Sequence, residues 1–171
     1  MAARPTVRAV EIALVAVLAS SCNGDRPEPE AQVDRGAVIQ GCEEIAKTFE
    51  RVRCLVEFAA QQGDRGICNE SQDEFVSYQC YGLYAQRMDD LDACELIPMD
   101  DPELATLRTG CITAIALKRD DVELCESFEN QSNRDACHMR FARETGKREY
   151  CTKIINETLE QICMTEPQKA Q

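Results

Sequence analysis

The apolar residues of this chain recur in wedges, and each wedge starts at a cysteine. After Cys54, Cys80 and Cys111, the first, fourth and fifth residues are Leu55/Phe58/Ala59, Tyr81/Tyr84/Ala85 and Ile112/Ile115/Ala116. At about 100° per residue these positions and their cysteine span roughly 140°, which suits a buried helix face. A smaller apolar set flanks a second group of cysteines: Ile45, then Ala93/Ile97, Leu124/Phe128 and Tyr150/Ile154. Asp64, Asp90 and Asp121 stand four residues before Cys68, Cys94 and Cys125. That is the place for an N-cap opening a short helix. Lys147 occupies it before Cys151. The turn-forming stretches NESQD, PMDDP, ENQSN and INET then separate each short helix from a longer one. No stretch alternates β-branched and polar residues with period two, so no strand is predicted.

These elements form a repeat. Ten cysteines fall at Cys42, Cys54, Cys68, Cys80, Cys94, Cys111, Cys125, Cys137, Cys151 and Cys163, at intervals alternating between 12 and 14 residues except for one of 17. A fixed period of this kind marks an array of small units rather than one domain. Five units begin at 42, 68, 94, 125 and 151, and the third carries five extra residues within ELIPMDDPELATLRTG. The predicted fold is all-α: a tandem array of five short αα-hairpins with a 26-residue period, spanning 36–163 and followed by a tail, 164–171.

Two neighbour pairings of the cysteines fit the alternation. Bonds between units (54–68, 80–94, 111–125, 137–151) would strand Cys42 and Cys163 at opposite ends. Bonds within units (42–54, 68–80, 94–111, 125–137, 151–163) use all ten and are the expectation. A hairpin this short buries too little apolar area to offset its ordering entropy. One bridge closing such a loop contributes about 3 kcal/mol, largely through the unfolded state, and stacking of neighbours supplies the remainder.

Cysteine content also bears on compartment. The chain has 171 residues, 11 of them Cys, 44% apolar residues and no Trp. MAARPTVR carries Arg4 and Arg8, IALVAVLA (12–19) is an apolar run, and SSC follows. Residues 1–21 thus read as a signal peptide, too short in its apolar part to cross a bilayer. The stretch LASSC (18–22) resembles the lipobox of bacterial lipoproteins. The resemblance implies that Cys22 becomes the lipidated first residue, with 22–35 a flexible tether. Ordinary secretion with cleavage after Ala19 is the alternative, giving a secreted soluble protein. Parity favours lipidation, because removing Cys22 leaves an even ten. Asn23, rather than Asp, after that cysteine implies by the same resemblance an outer-membrane lipoprotein of the cell envelope.

The array is similar in principle to tetratricopeptide-related helical repeats braced by disulfides, and to the twin C-x9-C hairpins of mitochondria. Its own spacing is C-x11-C with a 26-residue period. The resemblance covers architecture over 42–163 and implies no functional residue.

Charge narrows the partners. The full chain carries −12 at pH 7, and loss of 1–21, with two Arg and one Glu, makes it −13. Such a field repels nucleic acid and anionic headgroups, so no nucleic-acid partner is expected, and the bilayer is met only through the acyl anchor.

Catalytic and metal patterns are sparse. No C-x-x-C, zinc-type ligand pair or haem motif occurs, and no G-x-S-x-G, phosphate loop or EF-hand pattern. His138, the only histidine, takes the place that Leu55, Tyr81, Ile112 and Met164 hold in the other units, which points to packing rather than proton transfer. Carboxylates gather in MDDLD (88–92), MDDPE (99–103) and RDD (119–121). Helix capping is their simplest use, and a calcium site or a patch for a basic partner is the alternative. Asn69, Asn130 and Asn156 lie in N-x-S/T at hairpin turns. The insertion sets Pro98, Met99, Asp100, Asp101 and Pro102 in a longer turn, a candidate binding loop. The sequence therefore predicts a non-catalytic envelope lipoprotein that acts as a helical-repeat scaffold for an unidentified protein partner, without cofactor or metal. An ion- or small-molecule-binding protein using the acidic third repeat is the alternative, and an envelope enzyme a further one.

Overall fold

The computed structural model describes residues 34–166. The signal peptide, Cys22, the tether up to residue 33 and the tail from residue 167 lie outside the described residues. Among the described residues every element is helical. The α-helices are α1 (Arg35–Glu43), α2 (Thr48–Gln62), α3 (Glu74–Met88), α4 (Leu91–Glu95), α5 (Pro102–Arg119), α6 (Gln131–Thr145) and α7 (Glu157–Thr165). Three 3₁₀ helices, Arg65–Glu70, Val122–Ser127 and Arg148–Lys153, complete the set.

These segments pair into five hairpins of a short helix and a longer one, each braced by one disulfide. The bonds join Cys42–Cys54, Cys68–Cys80, Cys94–Cys111, Cys125–Cys137 and Cys151–Cys163, with Cα–Cα separations of 5.4–5.8 Å. Three of the five short helices wind as 3₁₀ rather than α. The tighter turn satisfies backbone groups within a short piece, although length alone does not select it, since the five-residue α4 is α-helical.

Local chemistry explains where each helix starts. Asp34, Asp64, Asp73, Asp90, Asp101 and Asp121 each cap a helix by accepting a backbone N–H, and Asn130 and Asn156 do the same. Six of the 31 acidic residues are thereby placed at helix N-caps, where a carboxylate also meets the positive end of the helix dipole. Lys47 and Lys147 stand at the two starts without a side-chain cap. Long helices end as sharply: α2, α3, α5 and α6 stop at a left-handed residue, respectively Gly63, Asp89, Asp120 and Gly146. The next residue caps the following short helix in three of the four joints, so two adjacent residues turn the chain from one hairpin into the next.

The joints bury the apolar wedges. Leu55, Phe58, Ala59, Tyr81, Tyr84, Ala85, Ile112, Ile115 and Ala116 are all buried, as are Phe141 and Ala142 in the fourth hairpin. Each short helix packs on the long helix of the preceding hairpin. At the last joint the contact is explicit: the Tyr150 ring meets Phe141 edge-on at 5.3 Å between centroids. Full burial of a side chain of this size stabilises by about 1.5–3 kcal/mol.

The sequence positions that carry the wedge differ in the first and last hairpins. Gly41, exposed, precedes Cys42 where Ile67, Ala93, Leu124 and Tyr150 precede the corresponding cysteines. After Cys163 the fourth and fifth positions hold Pro167 and Gln168 instead of an aromatic or Ile with Ala.

Two boundaries shift from the sequence reading. Asp34 and Arg35 cap and open α1 instead of ending the tether, and α7 runs on to Thr165. The five inserted residues of the third hairpin do not all enlarge its turn: three extend α5 at its N-terminus, and Pro102 is the first helical residue rather than part of the loop. Pro suits that position because its missing N–H has no partner there in any helix.

Candidate functional site

An arginine fastens the turn of three hairpins to the long helix. Arg51 donates through Nε and Nη2 to Ile45 O at 3.2 and 3.1 Å. Arg108 Nη1 donates to Glu95 O and Ile97 O, both at 3.3 Å. Arg134 Nη1 donates to Phe128 O and to Glu129 O, the latter at 3.1 Å. Each lies three residues before the second cysteine of its hairpin, giving R-x-x-C in RVRC, RTGC and RDAC. The carbonyls satisfied are those left without partners where a short helix ends.

Between the turns so fixed in the third and fourth hairpins lies a groove of about 430 Å³. Its apolar surface comes from Met99, Ile112 and Phe128. Glu95, Glu129 and Arg108 supply charge, and Ser127 and Asn130 complete the lining. Ile112 and Phe128 are 6% and 5% exposed, a floor already set by core packing, whereas Met99 is 46% exposed. Leu96, beside it in the chain, is 45% exposed. Met99 is thus the exposed apolar side chain of the groove lining.

The candidate loop is divided by its surroundings. Met99 lines the groove, Asp101 caps α5 by accepting from Glu103 N and Leu104 N, and Pro102 opens that helix. Asp100 is exposed and Pro98 half-buried. Among the acidic runs, Asp90 and Asp121 serve as caps and Asp89 as a helix terminus. Among the described residues no three His, Cys, Asp or Glu side chains gather in a manner that could hold a metal ion. Asn130 and Asn156 are engaged as caps, which assigns their side chains a structural use.

His138 is 1% exposed. Its Nε2 lies 3.0 Å from Glu126 Oε1, and its buried Nδ1 has no hydrogen-bond partner among the described residues. One turn away Asp135, also buried, accepts from Ile155 N, Asn156 N and Gln131 Nε2 at 3.0, 3.0 and 2.8 Å. Burial pushes the Asp135 carboxyl up, but those three hydrogen bonds and the nearby His138 together hold it below the usual carboxylate range. This polar cluster joins the fourth hairpin to the fifth. Sequence reasoning passed over Asp135 and the three arginines. Only the R-x-x-C recurrence could have signalled the latter.

No protein-family model matches the chain, and neither the curated proteins nor the solved structures yielded a match.

Proposed function

We propose that the protein is a lipoprotein of the bacterial cell envelope, tethered through Cys22, whose disulfide-braced array binds or braces another envelope protein without catalysing a reaction. Five structural disulfides belong to a chain that matures outside the cytoplasm. No helix among the described residues is long and apolar enough to cross a membrane. The observation that carries the anchoring is parity. Ten cysteines bond with one another, and the eleventh, Cys22, stands at the end of LASSC. An unpaired thiol in an oxidising compartment would invite mispairing, whereas acylation removes it.

Binding is supported by the groove between the third and fourth hairpins. It sits where the one insertion in the repeat falls, and insertions in repeat arrays tend to project onto a binding face. The test is expression in a bacterial host fed an alkyne-bearing palmitate. Label on the wild-type chain but not on Cys22→Ser is the expected result. An unlabelled wild-type chain cleaved after Ala19 would replace this reading with ordinary secretion.

A further inference from the structure

Resting on the binding reading above, we propose that the groove between the third and fourth hairpins takes a segment of partner protein in which one apolar side chain is flanked by lysine or arginine. Three observations converge on that chemistry. The floor is apolar and preformed, since Ile112 and Phe128 are held by the core. Met99 overhangs it, and a flexible thioether can close over side chains of differing shape. The charge is asymmetric. Glu95 comes from the third hairpin and Glu129 from the fourth, and among the described residues neither carboxylate forms an ion pair. Arg108, the positive residue of the lining, has its Nη1 committed to the carbonyls of Glu95 and Ile97.

Two carboxylates against the single Arg108 guanidinium leave the lining net negative, and bordering an apolar floor they favour a cation–apolar–cation sequence. They disfavour an acidic segment, because like charges at a closing interface go unrelieved. The groove volume of about 430 Å³ lies within the roughly 300–1,000 Å³ of ligand clefts, enough for one large side chain with its neighbours laid along the rim. Elsewhere on the surface carboxylates are often already matched, as in Arg65–Asp90, Arg119–Asp89 and Lys153–Glu123.

The test uses the oxidised, processed full chain, ¹⁵N-labelled and made lipid-free by Cys22→Ser. It is titrated with Gly-Lys-Leu-Lys-Gly, the charge-reversed Gly-Glu-Leu-Glu-Gly and the apolar-deleted Gly-Lys-Ser-Lys-Gly. Expected are amide shifts confined to residues 95–99, 108–112 and 127–130 with the first peptide, and at least tenfold weaker binding of the other two. Glu95→Gln with Glu129→Gln should weaken the first peptide about fivefold to tenfold, and Met99→Ala about threefold. Shifts spread over the whole acidic surface, equal binding of the serine peptide, or no shift at millimolar peptide would overturn the proposal. A photo-crosslinker at Met99 in cells separates this from the broader reading. An envelope protein captured there while the lysine–leucine peptide fails leaves a binding surface of other chemistry.

Discussion

The Asp135 carboxylate accepts the main-chain N–H of Asn156 at 3.0 Å, across the joint between the fourth and fifth hairpins. Asn156 is the residue that caps α7, so one carboxylate in α6 fixes the start of the last helix. The same carboxylate also holds Ile155 N and Gln131 Nε2, and its native pKa lies below the ordinary value. The native state thus prefers the ionised form. The resulting stability is complete above the unfolded carboxyl value, about 3.9, and is lost as pH falls through the lower native value. Asp135→Asn should cost about 2–3 kcal/mol near neutrality, since an amide cannot accept all three bonds. Thermal unfolding of both chains from pH 2 to pH 7 checks this: the gap between their midpoints should be steady above about pH 5 and shrink in acid.

His138 stands where other hairpins place Leu55, Tyr81 and Ile112, and its Nδ1 is buried without a partner. Replacing it by leucine removes that unsatisfied atom while keeping most of the volume. His138→Leu should therefore change stability by less than about 1 kcal/mol, whereas His138→Ala, which leaves a cavity, should cost about 2–3 kcal/mol. Urea denaturation of the two variants separates a packing role from any other. If leucine proved as damaging as alanine, the Glu126 contact would matter more than the packing.

Arg108 satisfies two carbonyls at the end of the third hairpin's short helix. Arg108→Ala should destabilise by about 1–2 kcal/mol, the cost of leaving such acceptors without their charged donor. Lysine should restore only part, because a single ammonium on a flexible stem is not the planar fork that spans two carbonyls. Amide exchange at Leu96 to Asp101 (residues 96–101) is the measurement, with faster exchange expected in both variants and fastest in alanine.

Asp120 ends α5 at φ +50°, in the region where Gly63 and Gly146 end their helices. Its side chain pairs with Lys147 at 3.4 Å, an exposed contact of little worth. Asp120→Gly should raise stability by about 0.5–1 kcal/mol through relief of the left-handed backbone. Gly63→Ala should lower it by about 1 kcal/mol or more. Paired melting curves read both, and opposite signs are the expected outcome.

Most of the architecture was legible in the sequence because it is written in residue types with strong local preferences. The wedges after Cys54, Cys80 and Cys111 and the caps Asp64, Asp90 and Asp121 sit where the period places them. What the sequence hid depends on distance along the chain. Asp135 reads as a surface carboxylate until Ile155 and Asn156, 20 and 21 residues on, fold against it. The arginine fasteners leave only the R-x-x-C recurrence in the sequence, and its meaning depends on turn carbonyls that face the long helix. The insertion read as a loop because the helical start at Pro102 adds a turn ahead of the repeat register. The groove needs Met99 from one hairpin and Phe128 from the next, and Phe128 alone reads as core.

The central claim is that five sulfur bridges hold helices which the side chains alone cannot. The direct measurement is far-UV circular dichroism of the processed, oxidised chain before and after complete reduction without denaturant, with thiols blocked to prevent reoxidation. Loss of most of the helical signal at 25 °C is the result this account requires. A reduced chain that keeps its ellipticity and its cooperative melting would contradict it.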